Sequence, residues 1–142
     1  MVIDRSRILK RCSEEGKSVT PQRIMILEEL TNHNDHPTAY QLQSILKKNG
    51  HSINISTIYR VLDFWIEMRF IHKAESNNTY VVCPDPHSNH LHVLLHCSGC
   101  SRIAERCKTS SQLATPEDLN FFTTEGQVVE LQGLCNNCVV TN

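Results

Sequence analysis

Apolar residues recur at helical spacing through the first half of the chain and alternate with polar ones in much of the second. Residues 4–15 read as a polar helix whose main apolar contacts are Ile8 and Leu9, stopped before Gly16. A second helix starts cleanly: Thr20 is an N-cap, and Pro21 takes the first helical position, where a missing N–H costs nothing. Ile24, Leu27 and Leu30 give it an inward face. Thr38 and Gln41 have capping-box spacing and open a third helix, with Leu42, Ile45 and Leu46 inward. In a fourth helix, from Ser56, the residues Ile58, Val61, Leu62, Trp65 and Ile66 form an apolar stripe about 140° wide. Its other face shows Ser56, Tyr59, Arg60, Asp63 and Glu67. An arginine there can pair with a guanine edge and a tyrosine ring can meet a thymine methyl or a phosphate, which suits the major groove of DNA. A plain solvated face has the same composition, and the helix alone does not choose between them.

Residues 70–83 read as a short hairpin with Asn77-Asn78 as a two-residue turn. That register sets His72 directly opposite Cys83, with Cβ atoms roughly 5 Å apart. Four helices and a hairpin make a winged helix-turn-helix. Pro84-Asp-Pro86 cannot continue a central strand and marks a hinge. Beyond it, His90 and His92 alternate with Leu91 and Val93 in a strand with one polar face. Strands are also expected over residues 101–105 and 127–132, with a short helix from Glu117 to Phe122 between them. The whole is an α+β chain: a winged helix over 1–83, a hinge at 84–86, and a small second domain over 87–142 that needs a staple.

The staple is legible. Cys97-Ser-Gly-Cys100 and Cys135-Asn-Asn-Cys138 each offer two thiolates from one tight turn, and two such turns complete the tetrahedral shell of a structural zinc. A redox centre needs only one such pair. Seven cysteines without an export signal fit metal ligation in a reducing cytoplasm better than disulfides. No apolar run approaches the length of a membrane span. The net charge of −1 hides an asymmetry: residues 1–83 hold 11 Lys/Arg against 9 Asp/Glu, and residues 84–142 hold 3 against 6. Four of the eight histidines and five of the seven cysteines also follow position 83. The first part leans towards a polyanion and the second towards cations.

The chain resembles the ferric uptake regulator superfamily, and within it the zinc uptake regulator branch. The resemblance rests on Val19-Thr-Pro-Gln-Arg23, Thr57-Ile-Tyr-Arg-Val-Leu62, the stretch Phe70–Cys83 and the two Cys-x-x-Cys pairs. It implies a dimeric, zinc-responsive repressor that binds palindromic AT-rich operators of zinc-uptake genes, with no small-molecule substrate. It implies two zinc ions per monomer. Cys97, Cys100, Cys135 and Cys138 match the structural site, and His72, Cys83, His90 and Glu105 match the regulatory one. Tyr40, Thr57, Tyr59 and Arg60 match the DNA-reading surface. His36, His87, His92 and His96 find no fixed place in that scheme, and the segment before Gln127 is shorter than the family's usual dimer helix. A sister sensor of iron, manganese, nickel or peroxide is the alternative. A zinc hydrolase is a distant third, because four protein ligands close the shell and no separate general base stands out.

Overall fold

The computed structural model describes residues 3–83, 91–108 and 128–140, and the chain divides into two compact units, Met1–Pro84 and Asp85–Asn142. The first holds α1 (Arg5–Glu14), α2 (Pro21–Thr31), α3 (Ala39–Lys48), α4 (Ile55–Glu67), β1 (Ile71–Ala74) and β2 (Thr79–Val82). Each of the first three helices starts on a side-chain cap. Asp4 accepts from the N–H of Ser6 and Arg7, Thr20 from Arg23, and Thr38 and Gln41 form a reciprocal capping box. α1 and α3 end at glycines in the left-handed region, Gly16 at φ 64° and Gly50 at φ 86°, a conformation that costs other residues a Cβ clash.

The core gathers around Trp65, fully buried, whose ring meets Phe64 and Phe70 edge-on and whose Nε1 donates to the Arg23 carbonyl at 3.0 Å. Arg23 in turn lays its guanidinium over Phe64, 3.8 Å from the ring centroid. The structure corrects the expected inward faces in places. In α1 the buried residues are Ile8 and Cys12, while Leu9 is 52% exposed. In α2, Ile26 is buried and Ile24 only half-buried. α4 also buries Phe64.

The hairpin differs from its expected register. The turn is four residues long, Glu75 to Asn78, because the Asn77 side chain accepts from both the N–H and the hydroxyl of Thr79, and Asn78 takes φ 56°. His72 therefore pairs with Val81, not Cys83. Cys83 sits two residues further along, its N–H donating to Phe70 O at 2.9 Å. β2 is also tied to the start of α3, through a bridge from Thr79 to Thr38 and a hydrogen bond from Tyr80 N–H to Pro37 O at 3.1 Å.

The second unit holds a three-stranded sheet in the order β4-β3-β5, with β3 (Leu91–Cys97) central, β4 (Ile103–Lys108) antiparallel to it and β5 (Val128–Gly133) parallel. β4 starts two residues later than expected and continues past Glu105. A short helix that the sequence did not announce, α5 (Asn136–Val140), follows β5. The expected hinge at 84–86, His87, His90 and the helix over 117–122 lie outside the described residues. No helix among the described residues is long and apolar enough to cross a membrane.

Candidate metal centres and nucleic-acid interface

Parallel pairing of β3 and β5 sends both strands out at the same end of the sheet, where Cys97 and Gly133 are register partners. Each strand is followed at once by a Cys-x-x-Cys turn, so the two turns meet. Ser98 joins them, donating its N–H to Gly133 O at 2.8 Å and its hydroxyl to the same oxygen at 3.1 Å. Cys97 Sγ accepts the N–H of Cys135 at 3.2 Å. The sulfurs of Cys97, Cys100, Cys135 and Cys138 all lie within 4.8 Å of one another. Cys100 and Cys135 are 3.8 Å apart, which is the tetrahedral edge of about 3.8 Å that Zn–S bonds of about 2.3 Å require. The donor set and its spacing thus fit zinc.

The thiols are electrostatically unequal. Backbone N–H groups, that of Cys135 first, hold Cys97 down to about 6. Cys135 is lowered as well, chiefly by the N–H of Cys138. Cys138 shares its proton with the Cys135 sulfur and is pushed up to about 12. Cys97 is the ready thiolate, and Cys138 keeps its proton until a cation displaces it. Gly99 makes room: a Cβ there would stand 3.0 Å from Cys138 Sγ and 3.2 Å from Leu134 Cδ2.

Each unit also carries a second pair of donors. In the first, His72 and Cys83 are diagonal neighbours on one face of the hairpin, both buried, with ligand atoms within 4.8 Å. In the second, His92 on β3 and Glu105 on β4 share a sheet face, since Leu94 is the register partner of Glu105. His92 Nδ1 lies 2.8 Å from Glu105 Oε1, with side chains 1% and 6% exposed. The sequence reading left His92 without a place. Its signal was the alternation that sets His90 and His92 on one face, and only the register shows that Glu105, diagonal to His92, shares that face. His96 lies half-buried four residues further along the same face, and His36 is half-buried beyond α2.

On the first unit, Tyr59 and Arg60 are exposed on α4, Thr57 is half-buried one turn earlier, and Tyr40 is 63% exposed near the start of α3. Tyr40 and Tyr59 meet edge-on with ring centroids 6.4 Å apart. Gln43 holds the α3–α4 turn by donating to Ile53 O at 2.9 Å. The wing tip, Glu75-Ser-Asn-Asn78, offers no cation, and Lys73 is held 3.1 Å from Glu75.

A winged helix with an exposed face on α4 in one unit and a four-cysteine knot in the other are the parts of a metal-responsive transcription regulator. The profile of the ferric uptake regulator family matches residues 14–129, and the chain belongs to that family. It is 31% identical to the zinc uptake regulation protein of Escherichia coli K12 over 133 residues, covering 92% of this chain and 78% of the relative. Its fold matches a zinc uptake regulator complexed with zinc and DNA at a TM-score of 0.77, with 29% identity, 96% of this chain and 93% of the other covered. Holo XcZur matches at 0.74, with 30% identity and coverage of 95% and 96%. The protein is a transcription regulator and not an enzyme. Its fold is an N-terminal winged-helix DNA-binding domain followed by a C-terminal dimerisation domain.

Proposed function

We propose that the protein is a zinc-responsive repressor of zinc-uptake genes, a cytoplasmic homodimer with a structural and a regulatory zinc in each monomer. One observation carries the reading. The DNA-binding unit presents two adjacent donors, His72 and Cys83, and the dimerisation unit presents two more, His92 and Glu105, while a closed zinc shell takes four. Neither pair is a site alone. A metal ion that needs both pairs fixes the reading helix relative to the dimer core, and so favours the dimer whose two helices match a palindromic spacing.

In this reading His92 takes the position that the family resemblance gave to His90. Its contact with Glu105 is the argument: a carboxylate at Nδ1 fixes the tautomer and leaves Nε2 for a metal. Thiolate and imidazole donors with one carboxylate suit zinc better than manganese, which prefers oxygen-rich six-coordinate shells. The dimer is supported by an apolar strip left uncovered on one sheet face, with Leu95, Val129 and Leu131 all at least 36% exposed.

The test is a gel shift on a palindromic AT-rich duplex, with the four-cysteine site filled and free zinc buffered. One further zinc per monomer is expected to switch binding on, while iron(II) or manganese at the same free concentration leaves it off. Binding triggered as readily by iron or manganese would give the assignment to a sister sensor.

A further inference from the structure

Tyr40 and Tyr59 come from different helices and touch on the open side of the reading unit. A surface tyrosine on a helix samples several orientations, and a ring that must meet a small target such as a thymine methyl gains from being held. Tyr59 is 39% exposed, and its partner in that contact is Tyr40, edge-on at an interplanar angle of 82°. Tyr40 is well placed to hold it. Its backbone lies inside the capping box of Thr38 and Gln41, its neighbour Ala39 is buried, and its carbonyl accepts the Ser44 hydroxyl at 3.1 Å.

We propose that Tyr40 is a positioning residue whose ring sets Tyr59 for thymine-methyl readout, so that the two tyrosines act on DNA as one unit. This rests on the DNA-binding reading above, and goes beyond the expectation that Tyr40 simply belongs to the DNA-reading surface. An edge-to-face pair is worth about two- to twelve-fold in an equilibrium, which sets the scale of the effect.

The experiment is a double-mutant cycle on the full zinc-loaded chain. The probe is a duplex selected by that protein from a randomised pool, made with thymine or with deoxyuridine, which lacks the methyl. Tyr59→Ala is expected to weaken binding and to abolish the preference for thymine over deoxyuridine. Tyr40→Ala is expected to weaken binding about two- to twelve-fold and to lose the same preference. In the Tyr59→Ala background it is expected to have no further effect, and Tyr40→Phe, which keeps the ring, should keep the preference for thymine over deoxyuridine. Losses that multiply in the double variant, or a Tyr40→Ala protein that still prefers thymine, would overturn the proposal. If Arg60→Ala and both tyrosine variants bind like the parent, the reading surface is elsewhere, and the DNA-interface assignment falls along with the proposal.

Discussion

Cys97 and Gly133 are partners in a parallel strand pair, and that one register match is what brings the two cysteine turns face to face. The turn after Cys97 then has to pass close to Cys138, and Gly99 is where it does so. Gly99→Ala sets a methyl group 3.0 Å from a sulfur and 3.2 Å from Leu134, whereas the Cβ of Gly133→Ala meets nothing within 4 Å. Gly99→Ala should lose zinc to a competing chelator markedly faster than the parent, and Gly133→Ala should retain it. Equal retention by both would show that the turns have slack.

The two sets of ligands should fail differently. Cys97→Ser or Cys135→Ser removes a ligand whose binding energy is part of folding, so the second unit should loosen and the protein aggregate. Cys83→Ser should leave a folded dimer that no longer answers to zinc. Thermal melts of the three variants decide the matter, and a Cys83→Ser protein as unstable as Cys97→Ser would erase the division.

His92→Ala should raise the zinc needed for operator binding and His90→Ala should not; the reverse result would return the ligand role to His90. Because thiol and imidazole donors must shed protons to bind, the zinc required should also rise as pH falls from 8 to 6. Operator titrations at fixed free zinc measure both effects.

Zinc affinity of the four-cysteine site carries a signature of its unequal thiols. The folded-state value of Cys97 is lowered from 9.0 to about 6, so above about pH 6 this thiol is already ionised and yields no proton to zinc. As pH falls through about 6 it becomes protonated, and zinc must displace that proton too. The slope of log affinity against pH should therefore steepen below about 6. A slope constant from pH 5 to 8 would mean that the Cys135 N–H does not hold Cys97 as a thiolate.

Arg60→Ala should cost about 1–3 kcal/mol in specific DNA binding without changing zinc content. Undiminished affinity for the selected duplex would move the reading surface off α4.

Much of the first unit was legible because its signals are local. Thr20-Pro21 and the Thr38–Gln41 box fix helix starts within a few residues, and the stripe from Ile58 to Trp65 fixes a face. The hairpin register was not legible: Asn77-Asn78 looks like a two-residue turn, and only the Asn77 side-chain bonds to Thr79 reveal four residues. A register error of that kind moves His72 from Cys83 to Val81, yet His72 and Cys83 stay on one face as neighbours. The His92–Glu105 contact depends on antiparallel pairing between strands, which spacing along the chain does not specify. The parallel β3–β5 pair is likewise a non-local fact, although the two Cys-x-x-Cys turns pointed to its result.

Trp65 is the chain's single tryptophan, and it is sealed in the core of the DNA-binding unit. The intrinsic emission of the protein is therefore a private reporter of that unit, blue-shifted while the indole stays dry and red-shifted once α4 lets water in. The four cysteines lie in a unit with no tryptophan of its own. Stripping their zinc while watching Trp65 asks one question of the whole chain: whether damage to the knot is felt in the reading head, or stops at the domain boundary.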